Sequence, residues 1–214
     1  MKLSVLDQAP VTKGNSAPEA IQKAVDLAIL ADELGYERMW MAEHHNTISY
    51  ASSAPEITVA YIAAKTKRIR VGTGGTMIMH YSPYKLAEVF KTLSSLAPGR
   101  IDFGIGRAPG GDNKAIYALA EGRRPNVDHL YGKIDTTLKL INDEYLDHPV
   151  YQNIVASPNN IILPEAWLLG STGNSAVQAG RMGMGYSYAQ FFTGHLDKDV
   201  IDIYRDSFEP SAYF

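Results

Sequence analysis

Short apolar runs alternate with longer amphipathic runs along most of the chain. The short runs are rich in β-branched and other apolar residues, and the longer ones repeat apolar side chains every three or four positions. Parallel α/β sheets produce this alternation because each helical crossover has to cover a face of the sheet. We therefore predict six strand–helix units, with strands at 2–6, 38–42, 69–73, 101–105, 166–169 and 186–189.

Two of the predicted helices begin with the same tetrapeptide, Ser-Ala-Pro-Glu, at residues 16–19 and 53–56. Serine caps helices well, a glutamate three residues later closes a capping box, and proline is tolerated in the first turn, where backbone N–H groups lack partners. We therefore expect a capping box at both positions. Further helices are predicted after Ser82-Pro83 and over 131–141, 175–182 and 197–208.

Residues 147–164 interrupt the alternation. They carry proline and asparagine with little periodicity, so we predict a long loop, with an added hairpin as an alternative. Long loops in compact domains are often functional.

The spacing of the strands indicates a barrel. The first four strands recur roughly every 30–35 residues, the length of one β-α unit in a TIM-type barrel, and a closed eight-stranded barrel needs two more units than we predict. Neither a low-complexity tract nor a linker divides the chain. The prediction is an α/β fold, a TIM-type (β/α) barrel that is incomplete with about six β-α units, formed by a single domain over residues 1–214.

Composition narrows the classes of function. Hydrophobic residues make up 45% of the 214 residues, which is enough for a buried core. The 20 Lys and Arg against 23 Asp and Glu give a net charge of −3, which disfavours nucleic acid and anionic membranes as partners. The chain has no cysteine, no signal-peptide pattern and no apolar stretch near the roughly 20 residues that span a bilayer. These features predict a cytoplasmic protein without disulfides or thiolate metal sites.

A histidine pair follows the second predicted strand, in the sequence Glu43-His44-His45-Asn46. Barrels of this type place their active sites at the carboxyl ends of their strands. Adjacent strand residues point to opposite faces, so the two histidines are poorly placed to share one metal ion, and we predict no metal site. The pair either satisfies buried hydrogen bonds or supplies one imidazole for proton transfer, and the spacing alone leaves both open.

Three more strand ends carry small or anion-binding residues. Gly72-Thr73-Gly74-Gly75 follows the third strand, where glycine either lets the backbone approach a flat ligand or belongs to an ordinary loop. Arg107 follows the fourth strand and either makes a surface ion pair or binds phosphate. Ser171 and Thr172 follow the fifth strand directly before a helix, where hydroxyls, free N–H groups and the helix dipole favour an anion. The last two elements together suggest one phosphate site.

Other chemistry is weakly represented. His80 follows the third strand and is a further candidate for lining the pocket. No Gly-x-Ser-x-Gly elbow or paired-carboxylate motif supports a hydrolase. A barrel acting on sugar phosphates would use the same anion site, but the sequence offers no evident catalytic lysine or carboxylate pair for it.

Taken in order, these segments resemble the bacterial luciferase-like, flavin-dependent monooxygenases. The resemblance rests on residues 43–46, 71–75, 98–110 and 169–172, and it extends from the first strand to the end of the chain. It implies a (β/α) barrel that binds FMN at its carboxyl rim and uses reduced flavin and dioxygen to oxygenate a small organic substrate. In that family a separate flavin reductase usually supplies the reduced flavin. A deazaflavin in place of FMN stays open as an alternative.

The resemblance also implies roles for individual residues. His44 matches the histidine that assists the oxygen chemistry of the flavin. Gly74-Gly75 matches the pair whose peptide, often cis in that family, packs against the isoalloxazine ring. Arg107 matches the phosphate-binding arginine, and Ser171 with Thr172 matches the loop that completes the phosphate site. The phosphate assignment agrees with the anion site expected from the residue types.

The largest departure from the family lies at the carboxyl end, because family members continue past residues 208–214 into a further strand, helices and a final strand. Missing units would leave strand edges and apolar surface exposed. An alternative is therefore a non-catalytic flavin-binding protein similar to the non-fluorescent flavoprotein, or an inactive shortened member. Family members commonly pair through their early helices, so we expect a homodimer. Tyr61, Val89 and Phe90 are candidates for the shared face, with simple packing on the barrel as the alternative.

Overall fold

The strands form one parallel sheet. In the computed structural model, which describes residues 1–125 and 127–214, they are β1 Ser4–Asp7, β2 Arg38–Met41, β3 Arg70–Thr73, β4 Thr76–Met77, β5 Ile101–Gly106, β6 Glu165–Gly170 and β7 Gly185–Tyr188. The order across the sheet is β1-β2-β3-β5-β6-β7, and the short β4 pairs with β5. All six pairings are parallel. The sheet curls into a half-barrel, which confirms the predicted α/β barrel class with its incomplete set of units.

Helices connect the strands and cover one face of the sheet. They are α1 Ala17–Glu33, α2 Pro55–Lys65, α3 Pro83–Leu96, α4 Asn113–Leu119, α5 Leu130–Ile141, α6 Gly173–Arg181, α7 Gln190–Thr193 and α8 Lys198–Ser207, with a short 3₁₀ turn at Ile78–His80. Within the described residues, no helix has both the length and the apolar character needed to cross a membrane.

Differences from the predicted elements are confined to short or irregular segments. The first strand lies at Ser4–Asp7 rather than at 2–6. The strand β4 and the helices α4 and α7 were absent from the prediction, because elements of two to seven residues are too short to show a period. Residues 142–164, all of them described, contain no helix or strand, so the long loop is confirmed and the added hairpin is wrong.

The two Ser-Ala-Pro-Glu segments fold differently. At α1, the Ser16 hydroxyl accepts from the Glu19 N–H at 3.4 Å while the Glu19 carboxylate accepts from the Ser16 N–H at 2.6 Å, so the predicted capping box is present. At α2, the capping position is Ala54, which has no side-chain cap. The second capping box is therefore wrong, because α2 begins at its proline, which leaves Ser53 one residue too early to cap.

The two faces of the sheet carry different side chains because successive strand residues point to opposite sides. The face toward the helices is apolar and holds the core, and the rings of Phe90 and Phe103 lie there with their centroids 4.0 Å apart. Phe90 is fully buried, so its predicted place on a dimer face is wrong, whereas Tyr61 is 50% exposed. The opposite face is polar near the amino ends of the strands.

A buried ion cluster occupies that polar face. The Asp102 carboxylate is fully buried and accepts from Trp40 Nε1 at 2.8 Å and from Arg70 Nε at 2.7 Å. Arg38 Nε lies 3.0 Å from the same carboxylate. Burial raises the pKa of Asp102, and the two arginines and Trp40 oppose that rise. The amino end of the half-barrel is thus held together by paired charges.

Candidate functional site

A cavity of about 270 Å³ opens at the carboxyl ends of the strands. It brings together all six residues that the sequence predicts for the site: His44 after β2, Gly74 and Gly75 after β3, Arg107 after β5, and Ser171 and Thr172 after β6. These residues are far apart in the sequence, and the parallel sheet places them at one edge because its strands all end there. His80 lies outside this cavity and lines a neighbouring one.

Several other side chains line the cavity without having been predicted for it, including Leu6, Gln8, Glu43, Met77, Phe191 and Phe192. Most of them also lie at or just beyond the carboxyl end of a strand, so the position of the strand ends was the signal that could have found them. Phe191 and Phe192 are exposed and stand in α7, just after β7.

Arg107 presents a buried donor that has no partner in the described protein. Its Nε is buried without a hydrogen-bond acceptor, while its guanidinium carbon lies 4.7 Å above the centre of the Tyr131 ring. The ring holds the guanidinium by a cation–π contact that leaves the N–H groups to point elsewhere. A buried N–H group without an acceptor is costly, and an anion in the cavity would remove that cost.

Ser171 and Thr172 stand where α6 begins. Thr172 is the capping residue of that helix, and its hydroxyl accepts from the Ser175 N–H at 3.3 Å. The Ser175 side chain in turn bonds the Thr172 backbone, which completes a capping box and fixes the loop. The capping residue of this nine-residue helix thus lines the same cavity as Arg107. Together with the unpaired Arg107 Nε, it can hold a phosphate group.

Gly74 and Gly75 form a wall of the cavity from bare backbone. The peptide between them is cis, as the family resemblance implies. A Cβ atom on Gly75 would lie 2.8 Å from the Gly106 nitrogen, and a Cβ atom on Gly74 would lie 2.6 Å from Leu6 Cδ1. Side chains are therefore excluded at both positions, and the flat backbone surface suits a planar ring.

The two histidines have different surroundings. His44 lines the cavity and stacks on Tyr50, with ring centroids 4.8 Å apart. Burial lowers the pKa of His44, and the neighbouring His45 lowers it further against the opposing effect of Glu43. His45 turns away, and its Nε2 lies 2.7 Å from the Glu43 carboxylate. Of the pair, His44 is thus the imidazole available to a ligand, and it is held mainly neutral.

Glu43 anchors the segment that follows the two glycines. Its carboxylate is buried and accepts from the Met77 backbone N–H at 2.8 Å and from the Tyr81 hydroxyl at 2.9 Å, in addition to the contact with His45. Burial and the Glu43 charge raise the pKa of Tyr81, so this hydroxyl keeps its proton and donates. Burial likewise raises the pKa of Glu56, the second carboxyl group near this network. The network ties the end of β2 to the cavity wall at Met77.

A second, more open groove of about 760 Å³ lies on the other side of His44. Ile21, Ile48 and Tyr50 are the large apolar side chains that line it. Among the described residues that line it, none is Lys, Arg, Asp or Glu. His44 borders both spaces and therefore stands between the cavity and the groove.

The chain is similar in sequence to known proteins. A family model described as luciferase-like monooxygenase matches residues 1–211. An N-acetyl-S-alkylcysteine monooxygenase of Bacillus subtilis is 40% identical over 210 residues, which cover 98% of this chain and 62% of that protein.

Solved structures agree with the family match. The apo structure of MsnO8 is 43% identical and superposes with a TM-score of 0.88, covering 98% of this chain and 62% of that chain. The oxygenating constituent of 3,6-diketocamphane monooxygenase from Pseudomonas putida, in complex with FMN, is 20% identical with a TM-score of 0.73, covering 99% of this chain and 64% of that chain. That last likeness shows the shared fold.

The chain spans 62–64% of the length of these proteins. The shared part includes β1 to β7 and every residue of the cavity described above. Because the family model covers nearly the whole chain and a relative at 40% identity aligns along it, the chain belongs to the luciferase-like monooxygenase family.

Proposed function

We propose that the chain is an FMN-dependent monooxygenase that uses reduced flavin and dioxygen to oxygenate a small organic substrate. The observation that carries this proposal is the buried Arg107 Nε without an acceptor, beside Ser171, Thr172 and the amino end of α6. A phosphate group at this position would satisfy the guanidinium with charged hydrogen bonds. FMN ends in a phosphate group.

The remainder of the cavity suits the ring of the same cofactor. The Gly74–Gly75 backbone provides a surface without side chains, and Leu6 and Met77 add apolar contacts beside it. Relatives of the same fold carry different flavins, since one is in complex with FMN and another with an F420 adduct. Arg107 by itself fits the phosphate of either, so the choice of FMN rests on the family resemblance and needs a direct test.

His44 is the residue proposed to transfer protons. When bound, reduced FMN supplies the electrons that activate dioxygen, and this chemistry needs protons to be moved at the cavity wall. His44 is neutral near neutral pH because burial lowers its pKa, so its imidazole can accept a proton and return it. Its stacking on Tyr50 restricts the ring to one orientation.

The groove beside His44 supports a small substrate with an apolar part. Its lining residues Ile21, Ile48 and Tyr50 offer hydrophobic contacts, and His44 connects the groove to the flavin cavity. A relative is named as acting on N-acetyl-S-alkylcysteine, which is a small organic molecule. We propose the same broad class of substrate for this chain.

Two partners complete the proposal. A separate flavin reductase supplies the reduced flavin, as the family resemblance implies. A second copy of the chain packs on α2 and α3, where Ile57, Tyr61 and Leu96 are exposed apolar side chains. Light scattering that gives the mass of a dimer supports this arrangement, and a monomer at all concentrations rules it out.

The first experiment is a titration of FMN by fluorescence quenching, run in parallel with riboflavin and with F420. FMN and riboflavin share the ring and the ribityl chain, so tighter binding of FMN measures the contribution of the phosphate site. Equal affinity for both would remove the phosphate from the proposal, and tighter binding of F420 would replace FMN by a deazaflavin.

Turnover is tested with reduced FMN and labelled dioxygen on thioether substrates. Label in the product supports an oxygenase. Firm flavin binding with no acceleration of flavin oxidation by any substrate would favour the alternative of a non-catalytic flavin-binding protein.

A further inference from the structure

A second cavity, of about 280 Å³, is lined by cationic side chains. It lies between the 3₁₀ turn Ile78–His80, the segment after α4 and the first turns of α5, and it shares no described lining residue with the cavity at Arg107. Its charged lining residues are Arg123, Arg124, Lys133 and Glu121, and His80 forms part of its wall. Three permanent cations therefore face one carboxylate.

Lys133 is the least compensated of these cations. Its side chain is half-buried, and its Nζ donates to the Met79 carbonyl at 3.2 Å. Among the ion pairs of the described residues, none involves Lys133. Burial lowers the pKa of this ammonium, and no carboxylate opposes that effect. An opposite charge stabilises a lysine in such surroundings, because the folded protein has already removed part of the water around the ammonium group.

The other charged residues leave the cavity positive. Arg123 pairs with Glu121, and both side chains are about three-quarters exposed, so water screens most of that pair. Arg124 makes no ion pair within the described part of the chain. Glu121, the carboxylate that lines the cavity, therefore neutralises Arg123 at the rim. Lys133 and Arg124 stay available to bind a ligand.

We propose that this cavity binds a small anion, a carboxylate or a phosphate group, between Lys133 and Arg124. Arginine and lysine both bind such groups through charged hydrogen bonds, and both residues line this cavity. The volume lies at the lower limit of ligand cavities, about 300 Å³, which suits an anionic head group with a short chain. The site goes beyond the proposed flavin function and does not depend on it.

The anion site backs on the wall of the flavin cavity. His80 Nε2 lies 2.7 Å from the Pro109 carbonyl, two residues after Arg107. Met79, whose carbonyl accepts from Lys133, follows two residues after Met77 in the flavin cavity. A bound anion would therefore lie next to two segments, 77–80 and 107–109, which also contribute residues to the flavin cavity.

The test is calorimetric titration of inorganic phosphate, and separately of acetate, into FMN-saturated protein at constant ionic strength. FMN occupies Arg107, so phosphate binding at that residue does not contribute. We expect saturable binding of at least one anion. Binding of phosphate alone identifies a phosphate-bearing ligand, and binding of acetate identifies an organic acid.

Variants locate the site. In Lys133→Met we expect the affinity to fall about tenfold or more, and in Lys133→Arg, which keeps the charge, to stay near that of the unmodified protein. The matched control is Lys139→Met, on the same helix, whose ammonium pairs with Asp135 at 2.8 Å on the surface. It should leave the affinity unchanged. Arg124→Gln provides a second, exposed position if Lys133→Met folds poorly.

Two results would overturn the proposal: no saturable binding of either anion, or equal affinity in Lys133→Met, Arg124→Gln and the control. Should the protein fail to bind FMN, the same titrations are made on Arg107→Ala without flavin. In that variant the phosphate site beside α6 is weakened, so the anion site is judged separately from the flavin proposal.

Discussion

Partly buried arginines lie at both ends of the half-barrel, but among the described residues only those at the amino end are paired with carboxylates. There, Arg70 and Arg38 contact Asp102 at 2.7 and 3.0 Å, and the Arg38 contact is an ion pair in which Nε makes no hydrogen bond. At the carboxyl end, the Arg107 Nε is buried without an acceptor in the described residues. The amino end has its charges compensated within the chain, whereas the carboxyl end keeps a donor for a ligand. Arginine therefore stabilises the fold at the amino end and is left available to a ligand at the carboxyl end.

Buried carboxylates show the same difference. Asp102 is held by two cations and Trp40, an arrangement that fixes the sheet. Glu43 is held by the Tyr81 hydroxyl, His45 and the backbone N–H of Met77, and of these Met77 also lines the cavity. Changes at the amino end should thus alter stability alone, and changes at the carboxyl end should alter binding or turnover.

The largest effect is expected for Asp102→Asn. This change removes a fully buried carboxylate that lies between the partly buried Arg38 and Arg70, both of which keep a contact with Glu165. Breaking a buried ion pair typically costs about 3–5 kcal/mol of stability, and the contacts that remain with Glu165 place the expected loss toward the lower end of that range. Urea unfolding measures the loss, and the FMN affinity of the remaining folded protein should not change. The matched control is Asp135→Asn, which breaks an exposed pair on α5 and should cost about 1 kcal/mol or less. Loss of FMN affinity in Asp102→Asn without loss of stability would invalidate the division between the two ends.

His44→Gln is expected to slow turnover while leaving FMN affinity unchanged. Removing a general acid–base group typically lowers the rate about a hundredfold or more. Stopped-flow measurement of substrate-dependent flavin oxidation gives the rate, and fluorescence titration gives the affinity. His45→Gln is the comparison, because His45 contacts Glu43 and does not line the cavity. If both variants turn over as fast as the unmodified protein, the proton-transfer role of His44 is lost.

Arg107→Ala should weaken FMN binding by about 1.5–3 kcal/mol, the range for a hydrogen bond to a charged group. Riboflavin, which lacks the phosphate, provides the control within the same variant, since its affinity should change little. Lys in place of Ala keeps a charge but loses the planar fork, so an intermediate affinity is expected. An FMN affinity equal to that of the unmodified protein would show that the unpaired Nε serves another purpose.

The sequence predicted the architecture because its periodicity reflects burial. Six of the helices and the six main strands follow from alternating apolar runs, and their ends agree with the structure to within a few residues. The six predicted site residues lie in one cavity because strand ends of a parallel sheet meet at one edge. Their chemical roles stay predictions.

Identical local sequence did not give identical local structure. The tetrapeptide Ser-Ala-Pro-Glu caps α1 but leaves α2 without a side-chain cap, since Pro18 is the second residue of its helix and Pro55 the first of its own. At α2 the glutamate, Glu56, lies near Glu43 instead, where burial raises its pKa. Tertiary contacts decide whether the serine caps the helix, and a four-residue pattern carries no information about those contacts.

The contacts of Glu43 and the existence of the second cavity could also not be predicted from the sequence. Tyr81 is 38 positions away from Glu43, and no motif connects them. Lys133 belongs to an ordinary amphipathic helix, and whether it meets a carboxylate, which it does not among the described residues, depends on side chains from other segments. Such pairings depend on where loops pack, which periodicity does not describe.

The smallest expected effect is a lowered pKa of His44. Burial is the first cause that lowers the pKa of His44, and the charge of His45 adds to it. The imidazole should therefore titrate in NMR spectra below about 6.5, the ordinary value for histidine. Because the neutral form accepts the proton, turnover should persist as the pH falls through that value and decline only at lower pH. In His45→Gln the pKa should rise but stay below the ordinary value, since burial is unchanged. A His44 pKa at or above the ordinary value would mean that the ring is more hydrated than the cavity implies, and would weaken the contrast between the two ends of the sheet.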